Sequence, residues 1–406
     1  MDRKITPQAS GPLAGMKVIE LAHIMAGPVC GLMLADMGAD VIKVEKPDGD
    51  DSRRFVPPAI EGESAAYMMM NRNKRGLALN LKQPDAVEAL HRLLEEADVV
   101  IENYRMGTME RLGLGYDELR AINPRLIYCE ISGFGRTGPY AERGGFDLIA
   151  QGMSGLMSIT GEGPGRPPVK TGAPVSDITA GIVAAMGVSA SYARMLQTGE
   201  GQKVDTSLFE AAITQTYWQS AIAFATGVAP GPMGSAHPLN GPYQAFQTAD
   251  GWINVGAANQ RNWLRFLDVI GAPELNDDPR FASNHDRMQH LQELEAILNG
   301  YLRHETSAVW LGRMEMAGLP AGPVLDILEM QADPQAHARD MIVEVDHPVA
   351  GAVKTLGHPI KFSDTPASIR CAAPVLGQHS REVLGEAGYD SAAIDAMIAV
   401  GAVIAA

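Results

Sequence analysis

Met16-Lys17-Val18-Ile19-Glu20-Leu21 is a short apolar run typical of a buried strand, and a turn of small residues, Ala22-His23-Ile24-Met25-Ala26-Gly27-Pro28, follows it directly. A helical pattern then continues to Met37, and Val41-Ile42-Lys43-Val44-Glu45 predicts a second strand. Strands joined through a helix are expected to run parallel, because parallel neighbours need a long crossover connection. This stretch therefore predicts the start of a parallel α/β sheet.

The same alternation continues along the first half of the chain. A helix opened by Pro84-Asp85 is predicted over residues 84–97, and further strands are predicted at residues 76–81, 99–101 and 126–131. Strands that are apolar throughout, rather than alternating, belong to sheets covered by helices on both faces. We expect a Rossmann-like, doubly wound α/β domain.

The pattern changes near Gly227, where residues 227–235 have the Gly- and Pro-rich composition of a loop. Beyond this loop, two strand-like runs flank Asp250-Gly251, which is a hairpin signal. We predict a large domain at residues 1–205, a linker at 206–234, a small α+β domain at 235–330, a linker at 331–350, and a C-terminal segment at 351–406 that returns to the large domain.

Composition disfavours several classes of partner. The 406 residues carry a formal net charge of −15, which opposes binding to nucleic acid or to anionic membranes. Residues 1–15 lack the apolar region of a secretory signal, so we expect a cytoplasmic protein. The isolated Cys30, Cys129 and Cys371 predict buried free thiols, and the spacing of the ten histidines predicts no metal site.

The turn after the first strand is where a doubly wound domain is expected to bind its ligand. Residues 23–28 contain one glycine where the dinucleotide fingerprint has three, so NAD and FAD are disfavoured. In an acidic chain, a local cluster of basic residues suits a ligand with phosphate groups, although a solvated basic edge gives the same pattern. The basic residues that follow or flank the second and third predicted strands are Lys43, Lys46, Arg53, Arg54, Arg72, Lys74 and Arg75.

Asp177 follows a Gly- and Pro-rich turn and precedes an apolar helical pattern over residues 178–197. This position predicts a helix N-cap, where the helix dipole and free N–H groups favour the ionised carboxylate. A fixed, ionised carboxylate can serve as a nucleophile in covalent catalysis. A simple capping role explains the same pattern, and the local sequence alone leaves both readings open.

Several motifs resemble those of the family III CoA-transferases, and the likeness runs through nearly the whole chain. The motifs are residues 13–21 with His23 and Ala26-Gly27-Pro28, residues 34–45, Asn71-Arg72-Asn73-Lys74-Arg75, Glu102-Asn103-Tyr104 with Gly113, Gly133-Phe134-Gly135 with Thr137-Gly138-Pro139, residues 145–157, and residues 201–205. The resemblance implies an enzyme that acts on an acyl-CoA and a small organic acid without a tightly bound cofactor. It also implies an interlocked homodimer, in which each chain threads a ring formed by the other.

The resemblance further assigns roles to individual residues. Asp177 matches the family's catalytic aspartate, which attacks the acyl-CoA thioester to form an anhydride and then an enzyme–CoA thioester. Taken alone, the other matching residues have ordinary structural explanations, such as a loop histidine or a strand-ending asparagine. The implied CoA contacts are His23, Ile24, Met25, Ala26, Lys46, Arg54, Asn103, Tyr104 and Arg111.

Some positions depart from particular branches of the family. Met25 and Ser132 stand where formyl-CoA transferase has a glutamine and a lysine, which argues against oxalate and formate as substrates. Acyl-CoA racemases of the same fold resemble this chain but carry a histidine where Phe146 stands, and phenylalanine cannot exchange a proton. A non-catalytic acyl-CoA-binding protein is the third alternative. The loop at residues 231–237 is either a lid over the site or a plain linker.

Overall fold

The structure is a computed structural model that describes residues 10–406, and the chain divides into two compact units. The larger unit contains the chain up to Ser154, Thr171–Gln215 and Pro334–Ala406, and the smaller unit contains Gly155–Lys170 and Thr216–Asp333. The smaller unit therefore takes residues 155–170 out of the region predicted as the large domain.

The regular elements are named in chain order. The strands are β1 Lys17–Glu20, β2 Asp40–Glu45, β3 Ala59–Ile60, β4 Glu63–Ser64, β5 Lys74–Leu79, β6 Val99–Glu102, β7 Ile127–Ser132, β8 Lys203–Ser207, β9 Tyr243–Gln247, β10 Trp252–Gly256, β11 Ala321–Pro323, β12 Ile342–His347, β13 Gly351–Leu356 and β14 Val403–Ile404. The helices are α1 Ala26–Asp36, α2 Ala65–Asn71, α3 Pro84–Glu95, α4 Thr108–Arg111, α5 Tyr116–Ile122, α6 Asp147–Met153, α7 Leu156–Ile159, α8 Val175–Thr198, α9 Leu208–Thr214, α10 Tyr217–Thr226, α11 Gln260–Ile270, α12 Asn284–Gln289, α13 Leu291–Leu302, α14 Ser307–Met316, α15 Ile327–Ala332, α16 Pro334–Ala338, α17 Ser380–Glu386 and α18 Ser391–Ala399. Short 3-10 helices span Asp51–Arg54 and Pro273–Asn276.

The large sheet of the larger unit has the strand order β14-β5-β2-β1-β6-β7-β8. All neighbours are parallel except β14, which pairs antiparallel with β5. Numbered along the chain, the parallel strands lie in the order 3-2-1-4-5-6 of dinucleotide-binding folds. The predicted doubly wound sheet is therefore confirmed, and its topological switch point lies between β1 and β6.

The sheet is covered on both faces because its strands are apolar on both sides. Along β6, Val99 and Ile101 belong to one core cluster with residues of α1 and α8, whereas Val100 belongs to a second cluster with residues of α3 and α17. Alternate residues of a strand point to opposite faces, so one continuous apolar run supplies both cores.

Some boundaries differ from the sequence prediction. The third predicted strand, 76–81, begins two residues earlier as β5, because the buried Lys74 belongs to it. The segment 206–234, predicted as a linker, contains α9 and α10, and the linker predicted at 331–350 contains α16 and most of β12. In the C-terminal segment, Val403 of β14 pairs with Leu79 of β5.

The smaller unit is built on an antiparallel sheet in the order β11-β10-β9. β9 and β10 form the predicted hairpin, and the N–H of Thr248 donates to the carbonyl of Gly251 at its turn. The fully buried Phe246, Trp263 and Phe266 belong to the unit's own core, to which α11, α13 and α14 also contribute. The smaller unit thus combines helices and an antiparallel sheet around its own core.

α8 is long and apolar enough to cross a membrane on length and composition alone. Its buried residues Ala180, Ala184 and Val188 pack in the same core cluster as residues of α1. Burial against the sheet domain therefore accounts for part of its apolar composition.

α1 and α8 approach each other closely at a glycine. A Cβ atom placed on Gly181 of α8 would lie 2.6 Å from the carbonyl oxygen of Ala26 and 2.7 Å from Cβ of Val29. Real side chains do not approach backbone oxygens that closely, so only glycine lets the two helices meet here. This contact places the first turns of α8 against the start of α1.

Gly181→Ala is expected to lower the free energy of unfolding by about 2 kcal/mol, because the added methyl group forces α1 and α8 apart. Chemical denaturation followed by circular dichroism measures the change. Gly385→Ala in α17 is the control, since a Cβ there meets open space. This control is expected to stabilise the protein by up to about 1 kcal/mol through helix propensity. Equal effects of the two substitutions would contradict the close approach.

Candidate active site

Residues after β1 and β6 meet at the switch point of the large sheet. The N–H of His23 donates to Oδ1 of Asn103 at 3.0 Å, and Nδ2 of Asn103 donates to the carbonyl of His23 at 2.9 Å. The rings of His23 and Tyr104 lie with their centroids 5.7 Å apart. The structure thus brings together three of the predicted ligand contacts at the edge where doubly wound sheets bind ligands.

Ile24, Met25 and Ala26 form the turn that leads from β1 into α1. Met25 is the N-cap residue of α1, and Ala26 is its first residue. Ile24 has a φ of 68°, which is a left-handed conformation for a β-branched residue. Such a backbone costs roughly 1–3 kcal/mol and persists only where its surroundings enforce it. The turn is therefore built with strain at the predicted site.

The segment after β6 is held by a residue that the sequence analysis did not single out. Arg136 donates to Glu102 at 2.5 Å and to the carbonyl of Tyr104 at 3.0 Å, while Glu102 accepts the N–H of Tyr104 at 2.7 Å. Burial, together with the charge of Glu130, raises the pKa of Glu102 to about 7, although Arg136 opposes the shift. Arg136 thus links the loop after β7 to Tyr104.

Most of the predicted basic cluster is internal, which corrects its interpretation as a ligand-binding surface. Lys43 and Lys74 are fully buried, and Arg72 is paired with Asp36 at 2.6 Å. Arg53 pairs with Glu45 at 2.7 Å, and Arg75 pairs with Asp40 at 2.6 Å. These cations stabilise the sheet domain, because each has a carboxylate partner within it.

Lys46 and Arg54 are the members of that cluster with exposed side chains. Nζ of Lys46 lies 2.8 Å from Asp51, and the guanidinium of Arg54 pairs with Asp48 and Asp51. Lys46 also lines a cleft of 470 Å³ at the carboxyl ends of β2 and β5, together with Lys82, Tyr104 and Leu112. The cleft offers flexible cations beside an aromatic ring, which suits a phosphate-bearing nucleotide.

Arg111, the remaining predicted contact, is exposed on α4. Its guanidinium donates to Oγ1 of Thr108 at 3.0 Å. It directly precedes Leu112, which lines the same cleft.

Asp177 is not the N-cap of α8, contrary to the sequence prediction. The helix begins at Val175 with Pro174 as its N-cap residue, so Asp177 is the third residue of the first turn. Burial and the charge of Asp147 raise the pKa of Asp177 to about 6, whereas the predicted cap would have favoured the ionised form. The carboxylate is still mostly ionised at neutral pH. It is poorly stabilised there, which makes it a stronger base and nucleophile than an exposed aspartate.

Asp147 and Gln151 of α6 hold the backbone segment 171–176, which leads into Asp177. Oδ1 of Asp147 accepts the N–H of Ser176 at 2.9 Å, and Oδ2 accepts from Gln151 at 2.7 Å. Oε1 of the fully buried Gln151 accepts the N–H of Thr171 at 3.0 Å. Both side chains lie in the motif at residues 145–157, but the sequence analysis assigns neither of them a role.

Asp177 and the turn after β1 lie near each other because of the helix contact at Gly181. Gly181 is four residues after Asp177, which corresponds to about 6 Å along a helix axis. Since Gly181 lies against the carbonyl of Ala26, Asp177 stands about one helical turn from the predicted ligand contacts. The larger unit thus places the carboxylate of Asp177, whose pKa is raised, beside the turn that the sequence predicts as a ligand contact.

Other predicted features have clear positions. Phe146 is the N-cap residue of α6 and is 72% exposed. The loop 231–237 belongs to the smaller unit, where His237 stacks on Tyr243 at 5.2 Å. Cys30 and Cys129 are buried as predicted, but Cys371 is exposed. Within residues 10–406, no group of three or more His, Cys, Asp or Glu side chains is arranged to hold a metal ion.

Comparison with known proteins confirms the resemblance. A family model described as CoA-transferase family III matches residues 13–380. The succinate–glutarate CoA-transferase of Agrobacterium fabrum is 41% identical over 94% of this chain and 96% of that protein. The acetyl-CoA:oxalate CoA-transferase of Acetobacter aceti is 40% identical over 91% of this chain and 94% of that protein. The crystal structure of a CaiB/BaiF family protein from Brucella suis is 39% identical, covers 93% of this chain and 100% of that chain, and superposes with a TM-score of 0.84.

The carboxyl group of Asp177 is expected to titrate with a pKa of about 6, and Asp147→Asn is expected to lower that pKa by removing a neighbouring charge. Part of the elevation should remain, because burial is its larger cause. Carbon-13 NMR of labelled aspartate carboxyls against pH measures this, with the signal assigned by its loss in Asp177→Asn. Asp85→Asn, in the first turn of α3, is the control and should change nothing. A pKa at the ordinary value of 3.8 in the unmodified protein would contradict the described environment.

Proposed function

This chain belongs to CoA-transferase family III and is a CoA-transferase, and we propose that Asp177 carries the group that is transferred. The observation that carries this proposal is the half-buried carboxylate of Asp177, with its pKa raised to about 6, one helical turn from the turn that follows β1. A desolvated carboxylate of that kind is matched to nucleophilic attack on a thioester.

The first half of the reaction loads CoA onto the enzyme. An oxygen of Asp177 attacks the thioester carbonyl carbon, the C–S bond breaks, and CoA leaves as a thiolate. The thiolate then attacks Cγ of Asp177, and the donor acid leaves as a carboxylate that carries the attacking oxygen. The aspartyl thioester that remains holds CoA covalently.

The second half reverses these steps with another acid. The acceptor carboxylate attacks Cγ and releases the thiolate, which attacks the acceptor's carbonyl to form the new acyl-CoA. Asp177 is regenerated with one oxygen from the acceptor. No electron pair leaves the system and no net proton is consumed, so the chain needs only to bind, orient and exclude water.

The CoA-binding residues are proposed from their positions around the switch point. His23, Asn103 and Tyr104 lie together there, and Met25 and Ala26 open α1 beside them. Burial lowers the pKa of His23, which favours the neutral form of its ring. Lys46 lines the cleft proposed for the nucleotide phosphates, Arg54 pairs with Asp48 of its wall, and Arg111 directly precedes Leu112 of its lining. Binding would exchange the carboxylate partners of Lys46 and Arg54 for phosphate.

We propose succinyl-CoA as the donor and a short dicarboxylic acid as the acceptor. The support is that similar proteins are named for succinate, glutarate and oxalate, which are all dicarboxylates. The test is a panel of succinyl-CoA and acetyl-CoA against glutarate, succinate, oxalate and acetate, with products read by mass spectrometry. Rapid transfer from succinyl-CoA to glutarate supports the proposal. Transfer to monocarboxylates alone would contradict it.

The alternative activities predict different products from the same acyl-CoA. A racemase exchanges the proton alpha to the thioester, which Phe146 cannot do at the position where racemases have histidine. A non-catalytic binding protein releases neither acid nor CoA. Incubation in deuterated water with acyl-CoA and acceptor separates these outcomes, and we expect transfer without alpha-deuterium.

Asp177→Ala is expected to lower turnover by at least roughly a thousandfold, because the covalent route is lost. It is not expected to destabilise the protein at neutral pH. The pKa of Asp177 lies above 3.8 in the folded state, so its ionised form opposes folding there. Turnover and thermal unfolding measure the two effects. Asp85→Ala, the helical first-turn control, should retain full activity. Normal turnover in a folded Asp177→Ala protein would refute the assignment.

Acyl-CoA supplied without acceptor is expected to leave CoA attached to Asp177. Mass spectrometry of the peptide containing Asp177 should show the adduct, and hydroxylamine should remove it because thioesters react with this nucleophile. The adduct should be missing from Asp177→Ala. An adduct on Cys30, Cys129 or Cys371 would instead indicate a thiol mechanism.

We propose an interlocked homodimer as the assembly. The support from this chain is apolar surface that it does not cover by itself: within α10 no residue is buried, and Phe224 is 89% exposed. Ile182 and Met186 of α8 are exposed as well. Such apolar faces are typical of protein–protein interfaces.

The dimer is expected to persist at nanomolar concentration, because separating interlocked chains requires partial unfolding. Sedimentation velocity with a fluorescent label measures this, and a urea series should show dissociation only together with unfolding. A folded, active monomer at nanomolar concentration would contradict the interlocked arrangement.

A further inference from the structure

Side chains from elsewhere in the domain hold four polar backbone groups of the turn Ala22–Ile24. The carbonyl of Ala22 accepts from Nζ of Lys43 at 2.9 Å. His23 exchanges two hydrogen bonds with Asn103. The N–H of Ile24 donates to both carboxylate oxygens of Asp50 at 3.2 Å. Residues from two other strands and their following loops therefore determine the shape of the turn.

Asp50 is the part of this arrangement that acts on the strained residue. Ile24 has its φ at 68°, where a β-branched side chain meets its own backbone. A hydrogen-bond partner for the N–H of Ile24 favours that conformation over an ordinary extended one. The carboxylate of Asp50 supplies the partner.

Asp50 is itself fixed as an acceptor. Its side chain is fully buried and lies 2.9 Å from Nζ of Lys43, and Oδ1 accepts from the N–H and the hydroxyl of Ser52 at 2.8 Å. Burial alone would raise the pKa of Asp50, but Lys43 and Ser52 outweigh it and hold the pKa well below its usual range. Asp50 thus remains a charged acceptor across the working pH range.

We propose that Asp50 is a positioning residue for CoA binding, which acts by holding Ile24 in the left-handed conformation so that the turn presents Met25 and Ala26 to the ligand. This inference rests on the proposed CoA site at the same turn. The role is specific to the backbone of Ile24, because Lys43 holds the carbonyl of Ala22 and Asn103 holds both backbone groups of His23.

Both oxygens of Asp50 face hydrogen-bond donors, so Asp50→Asn sets an amide N–H₂ against a donor in either orientation. This variant keeps the shape of the side chain and leaves Lys43 paired with Glu20 at 3.0 Å. We expect it to bind coenzyme A about tenfold more weakly in isothermal titration calorimetry, because the turn loses the left-handed conformation in most molecules.

Ile24→Gly is the rescue substitution, because glycine adopts the left-handed conformation without a steric penalty. Because Ile24 is itself an implied CoA contact, the reference is Ile24→Gly alone, and the double variant Asp50→Asn/Ile24→Gly is expected to bind coenzyme A about as tightly as that single variant. A residue that only supported folding would not be rescued by a change in backbone freedom at one position. If Asp50→Asn fails to fold, Asp50→Glu keeps the charge beside Lys43 but displaces the carboxylate from Ile24, and the same comparison is made with it.

Asp36→Asn is the matched control, since Asp36 is also fully buried, with Arg72 on one oxygen and Asn73 on the other. It lies at the far end of α1 and should leave the affinity for coenzyme A unchanged while lowering stability. An equal loss of affinity in this control, or a loss in Asp50→Asn that Ile24→Gly does not reduce, would overturn the inference.

The same binding measurements distinguish a failure of the role proposed for Asp50 from a failure of the proposed CoA site. A wild-type protein that binds no coenzyme A, or whose binding is indifferent to Asn103→Ala, would overturn the proposed site and the inference with it. Normal binding that depends on Asn103 but not on Asp50 would overturn the inference alone.

Discussion

A chain of buried charges beneath α1 ties the first strands of the sheet together. Nζ of Lys43 in β2 lies 3.0 Å from Glu20 of β1, and Glu20 also pairs with Lys74 of β5 at 2.8 Å. Lys74 donates to the carbonyl of Pro28 in α1 at 2.9 Å. Removing one member of such a buried group typically costs about 3–5 kcal/mol, since the remaining charge is left without a partner. The positions of β1, β2, β5 and α1 depend on this group, and the ligand-binding turn depends on them.

Two aspartates of the larger unit, Asp50 and Asp177, have opposite electrostatic environments. Asp50 lies beside Lys43 and accepts hydrogen bonds from Ser52 and Ile24, and its pKa lies well below the usual value. Its charge therefore stabilises the turn. Burial and a like charge instead raise the pKa of Asp177 to about 6. Carboxylates with a raised pKa cluster at functional sites. A carboxylate charge without a cation or hydrogen-bond donor beside it destabilises the folded protein, but it is also more reactive. The close contact of α1 and α8 brings both environments to the same edge of the sheet.

The sequence predicted what depends on local pattern. Residues 16–21 read as a buried strand, the alternation with helices predicted a doubly wound sheet, and Asp250-Gly251 predicted the hairpin. It could not predict what depends on partners distant in the chain. The sequence leaves Lys43 and Lys74 open as ligand cations or as part of a solvated basic edge. Both interpretations are wrong, because their buried carboxylate partner, Glu20, lies in another strand. Asp177 was interpreted as a cap because the backbone at Pro174, rather than residue type, decides where α8 begins.

The central claim is that Asp177 exchanges its own carboxylate oxygen in each turnover, and isotope tracing tests it directly. The enzyme completes a single turnover with acyl-CoA and an acceptor acid whose carboxylate is labelled with oxygen-18. The mass of the peptide containing Asp177 is then measured by mass spectrometry. We expect one heavy oxygen atom in that peptide, because the regenerated carboxylate keeps an oxygen from the acceptor. In the next round with unlabelled acceptor, that label should leave with the released donor acid. A peptide that stays unlabelled while labelled acyl-CoA accumulates would contradict the account.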